Sequence, residues 1–360
     1  MTPSSGDRTR VLIVDDSALF VDALSSLLTH EPGFEVQGVA RSGEEAVAMA
    51  KRLCPDVITM DLHMPGMNGL EAVERIMTSC ATPILVLTAD VSAPSTQFAF
   101  DALSRGALDL MVKPALIGDA RACRALCERL QLLASVAVVH HPRRYTDARP
   151  VSLTVPPRPT ERVVALAAST GGPPALLGLL KALPEDFPLP ILIVQHFPRG
   201  FVGQFASWLH HDVALPVALA VHGQRLEPAR VYVAPDDFHM EVATGRIRLA
   251  RDLQASLHCP SGDALLHSVA RSSPLGSIGV VLTGMGADGA AGLLALRQAG
   301  GLTIAQDGAT AVVDGMPREA RNLGAASEVL PLRAIPARLI ELATATPPTP
   351  AAGTKRGFSA

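Results

Sequence analysis

Short apolar runs alternate along the N-terminal third of the chain with segments of helical periodicity. The runs predict strands at residues 10–14, 36–40, 56–60, 84–87 and 108–111. The intervening patterns predict helices at 18–28 and 43–52, and a terminal helix at 120–139. Because strands that alternate with helices form parallel sheets, this part is predicted to be a doubly wound α/β domain.

The same alternation returns in the C-terminal half. Strands are predicted at 163–168, 189–195, 217–221, 230–234, 245–249, 277–283 and 302–306. Helices are predicted from 175 onward and at 264–271, 290–299 and 317–323. We therefore expect two α/β domains, each built on a mainly parallel sheet, the first flavodoxin-like and the second Rossmann-like.

The segment between the two patterned regions has a different composition. Residues 140–160 hold five prolines and four arginines without apolar periodicity, which is typical of a semi-extended linker. The predicted division is a first domain at 8–130, a linker at 131–160, a second domain at 161–345 and a disordered tail at 346–360.

Polar side chains follow the predicted strands of the first domain. Asp15, Asp16 and Asp61 come directly after two of the strands, so they should meet at the carboxyl edge of the sheet. Three crowded carboxylates repel one another, and a hard cation such as Mg²⁺ relieves this repulsion. Thr88 and Lys113 end two further strands and can reach the same edge. This set of residues favours phosphoryl chemistry on a carboxylate.

The first domain resembles the receiver domain of bacterial response regulators. The matching stretches are V-L-I-V-D-D-S-A, D-V-I-T-M-D-L-H-M-P-G-M-N-G-L, L-T-A and G-A-L-D-L-M-V-K-P. The resemblance implies that Asp61 accepts a phosphoryl group and that Asp15, Asp16 and Asp61 bind Mg²⁺. It also implies that Thr88 and Lys113 contact the phosphoryl group.

Three residues with catalytic chemistry stand at strand ends of the second domain: Ser169, His196 and Asp288. A serine nucleophile needs a base within hydrogen-bonding reach, and the base needs an orienting carboxylate. The G-x-S-x-G elbow of α/β-hydrolases is absent from this stretch. Spacing alone does not single out His196 among the eleven histidines, because His222 also follows a strand and His239 lies near an edge loop.

Two other functions, dinucleotide binding and transcription regulation, predict different sequence features. Residues 284–289 fit the pattern G-x-G-x-x-G, and Asp307 follows the next strand, as in dinucleotide-binding proteins. Against this reading, Asp288 would place a carboxylate in the turn that holds a pyrophosphate, and the turn comes late in its domain. A transcription regulator would need a basic helix-turn-helix, and residues 161–345 supply none.

The second domain resembles the catalytic domain of the chemotaxis protein-glutamate methylesterases, the CheB family. The matching stretches are A-A-S-T-G-G-P, I-V-Q-H-F-P-R-G-F, Y-V-A-P-D-D-F-H-M, G-V-V-L-T-G-M-G-A-D-G-A-A-G and D-G-M-P-R-E-A. The resemblance implies that Ser169 is the nucleophile, His196 the base and Asp288 the orienting carboxylate. The backbone amides near Thr170 and Met285 become candidates for the oxyanion hole.

This resemblance also implies an activity and its partners. The activity is hydrolysis of glutamate methyl esters, and deamidation of particular glutamines, on methyl-accepting chemotaxis receptors. A sensor histidine kinase would phosphorylate the first domain and activate the second, and the hydrolysis itself would need no cofactor. The sequence departs from the two families at Leu110, where receivers often carry an aromatic residue, and at Cys259 and Gly262.

Composition limits the remaining classes. The net charge of −3 gives no polybasic field for nucleic acid, and no apolar run approaches the ~20 residues that span a membrane. The five cysteines lack C-x-x-C and metal-ligand spacing, which favours reduced thiols, and the first ten residues lack the apolar core of a signal peptide. We therefore expect a cytoplasmic monomer that binds no nucleic acid and does not insert into membranes.

Overall fold

The structure is a computed structural model that describes residues 8–89, 93–116, 118–136, 138, 162–252 and 258–345. Residues 139–160 of the predicted linker, which was placed at 131–160, and the predicted tail at 346–360 lie outside the described residues. The chain divides into two compact units. One contains a five-stranded sheet, and the other contains a seven-stranded sheet and a hairpin.

The N-terminal sheet has the strand order β2-β1-β3-β4-β5, and all of its strand pairs are parallel. This is the order of the flavodoxin-like doubly wound fold, as the sequence predicts. The strands are β1 (Thr9–Val14), β2 (Phe34–Ala40), β3 (Val57–Asp61), β4 (Ile84–Thr88) and β5 (Asp109–Val112). The central strands β3 and β4 are buried along their whole length, as expected for a sheet covered by helices on both faces.

Five helices cover the N-terminal sheet: α1 (Ala18–His30), α2 (Gly43–Leu53), α3 (Gly69–Ser79), α4 (Ala93–Ser104) and α5 (Ala120–Ala134). Side-chain caps begin several of them, since Ser17, Ser42 and Asn68 each accept a hydrogen bond from a backbone amide of the first turn. Helices α3 and α4 were not among the sequence predictions. Helix α5 ends five residues before the predicted end at 139.

The C-terminal sheet has the strand order β14-β13-β12-β6-β7-β9-β8, again with every pair parallel. The strands are β6 (Val164–Ala168), β7 (Ile191–Gln195), β8 (Val217–Leu219), β9 (Val231–Val233), β12 (Ile278–Val281), β13 (Leu302–Gln306) and β14 (Glu328–Leu330). Because the chain adds strands first on one side of β6 and later on the other, the order reverses between β6 and β12. Ligand sites of open α/β sheets lie at such a reversal.

An antiparallel hairpin, β10 (Phe238–Ala243) and β11 (Arg246–Arg251), packs against the helix at Gly262–Ser272 in this half of the chain. The helices are α6 (Gly172–Lys181), α7 (Val202–Asp212), α8 (Gly262–Ser272), α9 (Ala290–Gln298), α10 (Met316–Asn322) and α11 (Ile335–Thr344), with a short 3₁₀ turn at Leu332–Ala334. His239, expected near an edge loop, lies within β10. The two α/β folds predicted from the sequence are confirmed.

Helix α6 begins at Gly172, three residues before its predicted start at Ala175. Pro173 and Pro174 explain the difference. A proline is tolerated in the first turn of a helix, because the amide that it lacks has no partner within the helix there. The helix therefore starts closer to Ser169 than the apolar pattern suggests.

Two further observations concern membrane crossing and the chemical state of the cysteines. Within the described residues, every helix is too short or too polar to cross a membrane. All five cysteines, each of which is described, are thiols, and burial raises the pKa of Cys127 to about 11. Cys127 is therefore a neutral core residue at physiological pH.

Candidate active site and phosphorylation site

Three adjacent strands at the centre of the C-terminal sheet bring the candidate catalytic residues to one edge. Ser169 follows β6, His196 follows β7 and Asp288 lies in the turn between β12 and α9. Since β6 pairs with β7 on one side and with β12 on the other, the three residues come from neighbouring strand ends. This strand order is the reason that the three residues lie at the same edge of the sheet, as predicted.

The backbone fixes the position of Ser169. Its amide donates to the carbonyl of Thr283 at 3.0 Å, and its side chain is largely buried, with the residue 7% exposed. Gly284 lies against it so closely that a Cβ at this position would come within 2.7 Å of the Ser169 Cβ. The glycine therefore allows the β12–α9 turn to approach the serine.

Asp288 is held by donors from two directions. His196 Nε2 donates to its Oδ2 at 2.8 Å, and the amides of Gly262 and Asp263 donate to its two oxygens at 2.6 and 3.0 Å. The Ser261 hydroxyl adds a fourth bond at 2.7 Å. Burial by itself would raise the pKa of Asp288, but the bond from His196 and the other donors outweigh it and hold this pKa well below its usual range. Asp288 is thus a carboxylate at any physiological pH.

The hydrogen bond to Asp288 decides which nitrogen of His196 can act as a base. With Nε2 donating to the carboxylate, the neutral imidazole carries its lone pair on Nδ1. Nδ1 is buried and has no hydrogen-bond partner among the described residues. The serine–histidine bond is therefore not formed in this structure, as is common before substrate binds. A buried acceptor without a donor is well suited to take the serine proton.

His222 and His239, the alternatives left open by spacing, lie elsewhere. His222 is exposed, and its Nδ1 accepts the amide of Leu249 at 3.2 Å. His239 Nε2 lies 3.8 Å from Asp252. Of the described histidines, His196 is the one bonded to the carboxylate of Asp288, so the geometry favours it as the base.

Two residues near the site were missed as functional candidates. His258 stacks on His196 with ring centroids 4.3 Å apart and planes within 6° of parallel. Burial, and then the nearby His196, lower the pKa of His258, so this ring stays neutral and restricts the tilt of the base. No periodicity marks His258, because it lies in an irregular segment.

Gln195 is the second missed residue. Its Nε2 donates to the carbonyl of Ser169 at 2.9 Å and to that of His196 at 3.0 Å, and the side chain is buried. One amide group thereby ties together the backbones of the proposed nucleophile and base. The available signal was a polar residue that ends an otherwise apolar strand, which suggests an internal hydrogen-bonding role.

The oxyanion candidates flank this centre. Thr170 follows Ser169 and precedes α6, whose first amides have no partners within the helix. Met285 follows Gly284 in the β12–α9 turn and is 41% exposed. Their part in stabilising an oxyanion stays a prediction.

The residues that suggested dinucleotide binding have other partners. Asp288 accepts the four hydrogen bonds described above, and Asp307 accepts the amide and hydroxyl of Thr310 at 2.9 and 2.6 Å. Gly289, the last glycine of the pattern, has a φ of 90° and caps α9. The glycines of this turn thus serve helix capping and close approach to Ser169.

At the N-terminal sheet, Asp15, Asp61, Thr88 and Lys113 gather at the carboxyl edge. Lys113 Nζ lies 2.7 Å from Asp15 Oδ2 and 2.9 Å from Asp61 Oδ2. Thr88 ends β4, the strand beside β3, and is buried. Gly69 allows the start of α3 to approach Asp61 closely, because a Cβ there would lie 2.1 Å from the carbonyl oxygen of Asp61.

The charges at this edge are incompletely balanced. Carboxylate oxygens of Asp15, Asp16 and Asp61 all lie within 4.8 Å of one another. Burial raises the pKa of Asp15 despite its contact with Lys113. Burial would also lower the pKa of Lys113, but its bonds to Asp15 and Asp61 raise it, so the lysine stays charged. Three hard oxygen donors around one lysine fit a Mg²⁺ ion.

Leu110 and Gly262, two of the positions at which the sequence departs from the family patterns, both lie in tightly packed surroundings. Leu110 lies in β5 and is 3% exposed, so the position of the common aromatic residue holds a buried aliphatic side chain. At Gly262, a Cβ would meet the Cβ of Ala167 at 2.7 Å and Asp288 Oδ2 at 3.3 Å. A larger residue at this position would require the segment to shift away from Ala167.

Comparison with known proteins tests the two resemblances. A family model described as CheB methylesterase matches residues 164–339, and a model described as response regulator receiver domain matches residues 11–122. Protein-glutamate methylesterase/protein-glutamine glutaminase 2 of Anaeromyxobacter dehalogenans is 45% identical over 345 residues, which are 95% of this chain and 99% of that protein. Protein-glutamate methylesterase/protein-glutamine glutaminase 3 of Myxococcus xanthus is 43% identical over 345 residues, 94% of this chain and 95% of that protein.

A solved structure, the CheB methylesterase catalytic domain of Thermotoga maritima, is 38% identical and covers 50% of this chain and 98% of that chain, with a TM-score of 0.48. The matches to the two curated relatives extend over nearly the full lengths of those proteins and span both regions of this chain. Both resemblances inferred from the sequence are confirmed. The chain belongs to the CheB methylesterase family, and its N-terminal region is a response regulator receiver domain.

Proposed function

We propose that this chain is a serine hydrolase that removes methyl esters from glutamate side chains of chemotaxis receptors, and that phosphorylation of its receiver domain activates it. The curated relatives carry the names of this activity. The observation that carries the catalytic part is the 2.8 Å bond between His196 and Asp288, on the strands that flank Ser169. A base oriented by a buried carboxylate is the requirement for activating a serine.

In the proposed reaction, the Oγ of Ser169 attacks the ester carbonyl while Nδ1 of His196 takes the hydroxyl proton. The charged imidazole is stabilised by Asp288, which stays ionised, and the backbone amides near Thr170 and Met285 stabilise the oxyanion. The imidazole then gives its proton to the departing methoxide, so methanol leaves and a glutamyl ester remains on Ser169. Water attacks this ester through the same base, releasing the glutamate carboxyl group and restoring the serine.

Deamidation follows the same route. Attack on a glutamine side-chain amide gives the same glutamyl ester on Ser169, with ammonia as the leaving group. The proton that His196 holds must pass to nitrogen instead of oxygen, which the same geometry permits. The amide activity therefore needs no residue beyond those of the esterase activity.

Control is proposed to begin at Asp61. Its carboxylate attacks the phosphorus atom of a phosphodonor, and the donor's leaving group departs. Lys113 lies 2.9 Å from Asp61 and can move its contact to the new phosphoryl oxygens, beside the Thr88 hydroxyl. Mg²⁺ bound by Asp15, Asp16 and Asp61 would neutralise charge on the phosphoryl group.

The partners follow from this chemistry. We propose a methylated chemoreceptor as the substrate and a sensor histidine kinase as the phosphodonor. The monomeric state, the absence of nucleic-acid binding and the cytoplasmic location stay predictions.

A fluorophosphonate probe tests the proposed nucleophile. Such reagents phosphonylate a serine that a neighbouring base activates, with loss of fluoride. We expect one probe per chain, with the modification on the tryptic peptide that contains Ser169, and no modification of denatured protein. Modification at another serine, or equal reaction of native and denatured chains, would overturn the assignment.

A further inference from the structure

A second cluster of metal-binding side chains lies outside the receiver domain. His239 is on β10, Asp252 follows β11 and Cys259 lies in the segment before α8. One ligand atom from each residue lies within 4.8 Å of the others, and His239 Nε2 is 3.8 Å from Asp252 Oδ1. The three residues lie within residues 239–259, and the reversal of the chain in the hairpin brings His239 close to the two that follow β11.

The ligand types distinguish this cluster from the acidic cluster around Asp61. An imidazole, a carboxylate and a thiolate are all ligands of Zn²⁺, whereas Mg²⁺ takes oxygen ligands. With bonds of about 2.0–2.3 Å, ligands in a tetrahedral zinc site lie roughly 3.3–3.8 Å apart. The separations here are near or slightly above this range, so small side-chain movements would complete the site.

The environment of His239 adds a second observation. The side chains of His239 and Asp252 are only 13% and 12% exposed. His239 Nδ1 is buried and has no hydrogen-bond partner among the described residues. A buried nitrogen without a partner costs free energy, which coordination of an ion through Nδ1 would remove, whereas coordination through Nε2 would leave Nδ1 as it is. At 3.8 Å, Nε2 and Asp252 are also too far apart for a hydrogen bond.

We propose that His239, Asp252 and Cys259 bind a thiophilic divalent cation, Zn²⁺ in the first instance, with water as the fourth ligand. The thiolate would come from Cys259, one of the positions at which the sequence departs from the family pattern. The sequence spacing did not indicate the site, because its residues come from three separate segments. The proposal is independent of the proposed hydrolase function.

An ion bound at Cys259 would restrain the segment that contacts the catalytic residues. Cys259 directly follows His258, which stacks on His196, and it precedes Ser261 and Gly262, which donate to Asp288. An ion bound to Cys259 would tie this segment to the β10–β11 hairpin. Because the ion binds the folded chain, zinc should also raise the midpoint temperature of unfolding.

Cobalt titration of the full chain tests the site. The protein is reduced, stripped of metal with a chelator, and titrated with Co²⁺ in excess Mg²⁺, which occupies the acidic cluster. We expect one Co²⁺ per chain, a thiolate-to-cobalt charge-transfer band, the visible bands of tetrahedral cobalt, and displacement of all of these by Zn²⁺. Absence of the charge-transfer band in the wild-type chain would overturn the proposal.

Two variants assign the ligands. Cys259→Ser should abolish the charge-transfer band and weaken zinc binding by more than the roughly 10–100-fold typical for loss of an outer-shell partner. His239→Gln should keep a weaker band with a similar loss of affinity. Cys80→Ser, which changes a thiol outside the cluster, is the control and should leave the band unchanged. A folded Cys259→Ser chain that retains the band would contradict the assignment.

Discussion

Replacing Ser169 by alanine should abolish ester hydrolysis while the chain remains folded. Without the hydroxyl, no acyl-enzyme can form, and only transition-state binding by the surrounding amides remains. Loss of a triad serine lowers kcat by about three to six orders of magnitude. The measurement is methanol release from methylated receptor membranes, with circular dichroism to confirm the fold. Near-normal turnover by Ser169→Ala would show that another group is the nucleophile.

Matched variants separate the nucleophile from its surroundings. Ser272→Ala removes a serine hydroxyl whose bond, to the carbonyl of Ser268 at 2.8 Å, lies within helix α8, and it should keep full activity. Asp288→Asn should lower kcat less than Ser169→Ala, by up to about 10⁴-fold, because it disturbs the tautomer and charge of His196 but leaves the nucleophile. The expected order of activities is therefore Ser272→Ala, then Asp288→Asn, then Ser169→Ala.

Replacing Asp61 by asparagine should abolish phosphorylation of the receiver domain. The amide of asparagine is a poor nucleophile toward phosphorus, and the neighbouring aspartates would be the remaining acceptors. Incubation of the full chain with a radiolabelled small phosphodonor and Mg²⁺ should label the wild-type chain and not Asp61→Asn. A chelator should also prevent labelling, because Asp15, Asp16 and Asp61 carry charge that the cation balances.

Asp119→Asn is the control for this charge change. Asp119 caps α5 by accepting the amide of Ala122 at 2.9 Å, and asparagine caps helices equally well. This variant should be labelled like the wild-type chain. Labelling that survives both the chelator and the Asp61 substitution would rule out Asp61 as the acceptor.

The positions of the chemical residues were predictable where a strand fixes them. Apolar runs that stop at Asp61, Ser169 and His196 place these side chains at the carboxyl edge, because parallel strands end together. The apolar run before Asp288 also indicated its position, although four residues lie between the predicted end of that strand at Thr283 and the aspartate. The sequence alone could not choose among the histidines, since the choice depends on which strands are neighbours.

The roles of His258 and Gln195, which contact the catalytic residues, were harder to predict from the sequence. His258 acts through a ring stack formed by an irregular segment, and Gln195 acts through two backbone carbonyls; neither contact has a periodic signal. The same holds for His239, whose strand β10 is identified by its pairing with β11. Helix α6 shows a different limit, because its apolar pattern begins at Ala175 whereas the helix itself begins at Gly172.

A hydrolase controlled through Asp61 is tested most directly by methanol release from methylated receptor membranes, measured for the full chain with and without a phosphodonor. We expect release in both cases. We also expect a faster rate with the phosphodonor, by a factor within the roughly 5–150-fold range of allosteric coupling, and no such increase in Asp61→Asn. No methanol release under either condition, or an equal phosphodonor effect in Asp61→Asn, would contradict a hydrolase controlled through Asp61.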